Sequence, residues 1–125
     1  MSLEAREQAV QVLYQMDMTG AEEIPEGVEM TTRTRRLVEG VIAHRQEIDR
    51  ILETMARHWS VERMPAVDRA VLRLGVYELR HRPDVPTAVV VSEAVKLAKA
   101  YSTEKSGRFV NGVLAAIARS ERGES

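Results

Sequence analysis

The chain has 125 residues, no cysteine and a formal net charge of −1, enough length for one domain with its own core, with disulfides and thiolate chemistry excluded. The near-neutral balance argues against indiscriminate polyanion binding. No apolar run approaches the roughly 20 residues of a bilayer span, and Met1 to Arg6 lacks a signal peptide's apolar core, so a cytoplasmic protein with no membrane partner is expected.

Leu3 to Met18 reads as a first helix, with Ala5, Ala9, Val12, Leu13 and Met16 on one face. Ser2 is its expected N-cap, and Gly20 can take the left-handed conformation that ends it. Ala21 to Met30, with its acids, Pro25 and Gly27, is expected to be a mobile connection. Thr31 or Thr32 then caps a long apolar pattern from Leu37 through Met55, with a break expected near His44 to Glu47. Trp59-Ser60 is expected to end that run, and Ser60 to cap a short turn before Pro65.

The most strongly patterned stretch is Ala66 to Arg80. Val67, Ala70, Val71, Leu74 and Gly75 recur at helical spacing, and Leu72, Val76 and Leu79 extend the apolar surface around the cylinder. Asp68, Arg69, Arg73 and Arg80 share one narrow polar side. A helix apolar on most of its circumference is surrounded by other helices, and Pro83 bars continuation beyond Arg82. This is therefore the expected central helix, whose arginine side must reach water or a partner. Glu78 lies away from that side and is expected to be a buried carboxylate holding an arginine or loop N–H groups.

Thr87 is the expected cap of a helix running to about Ala100, with Val91, Ala94, Val95 and Ala98 inward. Ser106 is the expected cap of a last helix, Gly107 to Arg119, with Phe109, Val110, Val113, Leu114 and Ile117 inward. Ser120 to Ser125 is expected to fray. No segment alternates at period two, so the fold class is all-α. Gly40, Gly75 and Gly112 fall inside helices, each at a cost of roughly 1 kcal/mol against alanine, which close helix crossings would offset.

Chemistry is sparse. His44, His58 and His81 are far apart in sequence, and His44 with Glu47, or His58 with Glu62, supplies only two ligands, so no metal site is expected. No nucleophile elbow or glycine-rich phosphate loop occurs, no cofactor is implied, and an enzyme is not expected. The cations are fifteen arginines and three lysines. Arginine suits phosphate and base edges, although the bias can equally reflect a GC-rich genome. Lys105, Arg108 and Asn111 surround the start of the last helix, where free N–H groups favour anions. Tyr101 and Phe109 flank the loop before it, where an aromatic can stack on single-stranded RNA; core packing is the competing role for both.

Five blocks in register resemble the NusB family of bacterial transcription antitermination factors. They are Ala5-Arg-Glu-Gln-Ala-Val-Gln-Val-Leu-Tyr-Gln15, Val67 to Leu79, Asp84-Val-Pro86, Ser92 to Lys99, and Ser106-Gly-Arg-Phe-Val-Asn-Gly-Val-Leu114. The resemblance implies about seven helices in two small packed bundles, spanning 1–60 and 61–119 of a single domain 1–125. It implies binding of boxA RNA in nascent ribosomal RNA transcripts with the NusE ribosomal protein, in a complex with NusA, NusG and RNA polymerase. Carried over position by position, Arg6, Arg73, Tyr101 and Arg108 are RNA-binding candidates. Asp68, Lys105 and Phe109 face RNA or the protein partner. Of the family's amino-terminal arginine motif only Arg6 is present, with Ser2, Leu3 and Glu4 in place of the preceding cluster. Replacing Arg73 and Arg108 together is expected to weaken RNA binding with little loss of melting temperature. The alternatives are a protein-interaction module, a homodimer that hides the RNA surface, and a relative of the accessory domain of RNA cytosine methyltransferases.

Overall fold

The computed structural model describes residues 3–56 and 60–123. Among them are six α-helices, one 3₁₀ turn and no strand, so the class is all-α and the expected count of seven helices is met only if the 3₁₀ turn is included. Expectations that fall on Ser2, on His58 and Trp59, and on the last two residues lie outside the described residues.

Helix α1 spans Leu3–Thr19 and buries Ala5, Ala9, Val12, Leu13 and Met16. Gly20 ends it at φ 75°, and the Ala21 N–H returns to the Met16 carbonyl at 2.9 Å. The following connection, expected to be mobile, is packed onto the helices at several points. Ala21, Ile24, Val28 and Met30 pack against the core, and the Gln8 side-chain amide donates to the Glu29 carbonyl at 2.9 Å. Four apolar side chains in a loop that reads as polar outweigh its Pro and Gly content.

Helix α2, Thr32–Ala43, is capped by Thr31, whose hydroxyl accepts the Thr34 N–H at 3.1 Å. The chain breaks at His44 and resumes as α3, Arg45–Met55. A 3₁₀ turn, Val61–Arg63, follows, although the Ser60 hydroxyl makes no capping bond to it. Helix α4, Ala66–His81, packs against every other α-helix and is the central helix. Helix α5 is Thr87–Tyr101 and α6 is Glu104–Arg122; these two pair with each other and with α4.

Three expectations about the last two helices are corrected. Pro86, not Thr87, holds the N-cap position of α5. Of the inward residues expected on α5, Ala94 and Ala98 are buried, but Val90 and Leu97 complete that face and Val91 and Val95 are only partly buried. The end of α6 does not fray at Ser120: the helix runs to Arg122, with Gly123 left-handed behind it. Arg122 holds it there. Its guanidinium donates to the carbonyls of Glu78, Leu79, Arg82 and Val85 at 2.7–3.1 Å and to the Thr87 hydroxyl at 3.1 Å. The open carbonyls at the end of α4 are satisfied this way.

Two helix glycines sit at close crossings. A Cβ on Gly40 would collide with the Tyr77 ring, and one on Gly75 would lie 2.8 Å from Leu114 Cδ1. The same reasoning fails at Gly112, where a Cβ would meet nothing within 4 Å.

The arginine side of α4 is answered from within the chain. Arg69 pairs with Asp17 of α1 and donates to the carbonyls of Val61, Glu62 and Met64, each at 3.2 Å. Arg73 makes a two-pronged pair with Asp49 of α3 at 2.8 and 3.0 Å. Arg80 pairs with Glu47 of α3 at 2.8 Å and with Glu121 of α6. Acids on three other helices thus neutralise a row that reads, in isolation, as waiting for an external anion.

Candidate nucleic-acid interface

The corner between α5 and α6 gathers most of the candidate residues. Helix α5 ends at Tyr101, and Thr103, not Ser106, caps α6: its hydroxyl accepts the Ser106 N–H at 3.0 Å. Ser106 lies inside the first turn and is buried, with its hydroxyl 2.8 Å from that of Ser102 and 3.2 Å from that of Thr103. Three hydroxyls therefore cluster at the start of the last helix. The Ser106 side chain also stands near Asp68, in the first turn of α4, and favours its charged form.

Asp68 is 2% exposed, and its Oδ1 has no hydrogen-bond partner among the described residues. Burial pushes its carboxyl above the ordinary value of 3.8, and the Ser106 side chain offsets this only in part. Around this buried acid the corner is open and carries both signs of charge, with Glu104 paired to Lys99 at 3.6 Å. Lys105, Arg108 and Asn111 are exposed, while Phe109 is half-buried against the core. Lys105 and Arg108 stand at the amino end of a 19-residue helix, whose free N–H groups add partial positive charge.

Tyr101 is 45% exposed and held in place. Its hydroxyl donates to Glu7 Oε2 at 2.6 Å and accepts from the Gln11 amide at 3.4 Å. The bond to Glu7 pushes the phenol above its ordinary range, so Tyr101 remains a donor at neutral pH. These contacts fix the ring against α1, where Tyr14 and Met18, 38% and 60% exposed, follow Gln11 at helical spacing. Tyr14 was not singled out in the sequence. Its position off the Ala5, Ala9, Met16 face is the signal that it points outward.

Arg6 and Arg73 are placed differently from the expectation for RNA contacts. Arg6 is 1% exposed and grips Glu78, also 1% exposed, with Nε 2.9 Å from Oε2 and Nη2 2.8 Å from Oε1. Glu78 is thus the buried carboxylate expected from its position, and Arg6 is its arginine. Arg73 is 6% exposed and committed to Asp49, with Asp17 at 3.7 Å. Removing Arg73 would take from the partly buried Asp49 its two-pronged partner, leaving it Arg45 at 3.7 Å, so some loss of melting temperature is expected of an Arg73 and Arg108 double variant. The structure also joins His81 to His44 and Glu47, a grouping that the sequence separation conceals.

Residues 3–119 match the model of the NusB family. The chain belongs to the NusB family. It is 45% identical to the transcription antitermination protein NusB of Symbiobacterium thermophilum, over 95% of this chain and 90% of that protein. It is 52% identical to the NusB protein of Saccharopolyspora erythraea, over 91% and 84%. Among solved structures, it resembles NusB in a complex of antitermination factors NusB and NusE with double-stranded RNA, with a TM-score of 0.80, 36% identity, and 94% and 96% of the two chains covered. The all-helical architecture is therefore that of NusB structures.

Proposed function

We propose that this chain is a transcription antitermination factor that binds boxA-type RNA of nascent ribosomal transcripts together with a NusE-type ribosomal protein. The observation that carries the reading is its similarity, across nearly its whole length, to the NusB chain of the NusB–NusE–RNA complex. The α5–α6 corner supplies a matching physical surface. Lys105 and Arg108 offer charge-assisted contacts to phosphate, and Tyr101 a fixed aromatic face for a base. Tyr14 extends that face along α1. Asp68 and Phe109 shape the corner from beneath, at the boundary between RNA and the protein partner. Arg6 and Arg73 act in this reading by holding the helices that carry the surface.

The proposed role is to position molecules, not to make or break bonds. Among the described residues no helix is long and apolar enough to cross a membrane, in keeping with action in the cytoplasm on RNA polymerase carrying NusA and NusG. Light scattering of the chain mixed with its NusE protein and boxA RNA tests the assembly. One copy of each in a single complex is expected. A mass of two chains that neither RNA nor NusE dissociates would contradict it and favour the homodimer.

A further inference from the structure

At the opposite end of α4 from Asp68, three side chains from different parts of the chain converge. His44 occupies the break between α2 and α3, with φ −113° and ψ 17°. Glu47 lies in the first turn of α3, and His81 is the last residue of α4. The two imidazoles stack with centroids 3.8 Å apart, and the Tyr77 ring stands beside both, at 6.2 and 5.6 Å. Glu47 Oε1 is 2.7 Å from His81 Nε2, and Oε2 is 4.0 Å from His44 Nδ1. One ligand atom from each residue fits within 4.8 Å of the other two.

We propose that His44, Glu47 and His81 form a binding site for one divalent transition-metal ion of the zinc class. Two imidazole nitrogens and one carboxylate oxygen suit zinc, nickel or copper and disfavour magnesium or calcium, which take oxygen ligands. Bonds of about 2.0–2.2 Å in a tetrahedron place ligand atoms roughly 3.3 Å apart, so the cluster needs side-chain rotation of about an ångström or more. Its members have room for this, since their side chains are 27–39% exposed. The same exposure provides an entry path and leaves a fourth position for water.

The charge balance also works. Arg80 bonds Glu47, but it bonds Glu121 as well, so it keeps an acid partner if Glu47 turns to a cation. The ion would take the place of the hydrogen bond between His81 and Glu47, since metal ligation needs ring nitrogens that carry no proton. Bound there, it staples the α2–α3 corner to the end of α4 and stabilises the fold by mass action.

The test is calorimetric titration of the tag-free, chelator-treated protein with zinc chloride at pH 7.5, together with melting temperature with and without zinc. One ion per chain is expected, with a rise in melting temperature. His44→Gln, Glu47→Gln and His81→Gln should each weaken binding by at least about tenfold, the loss of one of three ligands, and His58→Gln should leave it unchanged. Magnesium chloride should give no saturable signal. Circular dichroism identifies any variant that fails to fold, in which case the remaining two carry the test. No saturable zinc binding, binding intact in both His44→Gln and His81→Gln, or binding lost only in His58→Gln would overturn the site.

Discussion

Replacing Arg6 by methionine keeps the methylene stem packed and removes only the guanidinium, leaving Glu78 facing Val10, Val71, Leu74, Val90, Ala94 and Leu97. Both members of the pair are 1% exposed and share two short hydrogen bonds. Breaking such a pair from one side costs about 3–5 kcal/mol, because the remaining charge is stranded in an apolar site. Against a typical total of about 5–15 kcal/mol, that is a large fraction of the stability. At roughly 4 °C per kcal/mol for a domain of this size, the melting temperature should fall by some 10–20 °C. Arg6→Met with Glu78→Met removes both charges and should recover most of the loss, since apolar replacement of a whole buried pair is often neutral or stabilising. Urea unfolding of the two single variants and the double variant, followed by circular dichroism, measures the coupling directly. A single Arg6→Met variant that melts like the parent but loses RNA affinity would refute the reasoning and return Arg6 to the RNA surface.

The other predictions concern four further positions. Asp68 holds its proton to a higher pH in the folded chain than in the unfolded one, so stability falls as pH rises from about 3.8 through the raised folded value and stays reduced above it. Asp68→Asn should therefore raise the urea midpoint at pH 7 and give no gain below pH 4; equal destabilisation at both would contradict the burial argument. Gly75→Leu should unfold or greatly destabilise the domain by driving side-chain atoms into Leu114, whereas Gly112→Ala should stabilise it by up to about 1 kcal/mol; thermal melts that rank the two the other way would refute the crossing. Arg122→Ala strands the carbonyls at the end of α4 and should lower the melting temperature, with faster amide exchange from Leu79 to Val85. Unchanged exchange there would show that water replaces the arginine.

The central helix was legible because its apolar positions nearly encircle it and prolines flank it, so burial on all sides has a direct sequence signal. Thr31 and the break at His44 were legible for similar local reasons. Helix α5 was harder: Thr87-Ala-Val-Val-Val carries apolar residues in succession, and periodicity alone cannot separate Val90 from Val91 as the buried residue. At the start of α6, Thr103 and Ser106 are both hydroxyl residues three apart, and choosing the second shortened the helix by a turn. What could not be read were the pairings between distant positions. Arg6 meets Glu78 across 72 residues and Arg73 meets Asp49 across 24. A cation on a helix face has the same local pattern whether an acid of another helix or an RNA phosphate answers it. The resemblance carries Arg6 and Arg73 over as RNA contacts, and the fold gives both of them acid partners, whereas Lys105 and Arg108 are exposed and Tyr101, though bonded to Glu7 of α1, keeps 45% of its surface open.

The most direct test of the central claim is fluorescence anisotropy of a labelled boxA RNA, titrated with this chain alone and with its NusE protein across a salt series, with a scrambled RNA as control. Each phosphate contact contributes close to one unit to the slope of log affinity against log salt, about 0.7 for a single strand. Lys105→Ala with Arg108→Ala should therefore weaken binding and reduce that slope by roughly 1–1.5, without lowering the melting temperature. Tighter binding of boxA than of scrambled RNA, strengthened by NusE and lost in this double variant, is the predicted result. Equal affinity for both RNAs, or an unchanged slope in the double variant, would contradict it.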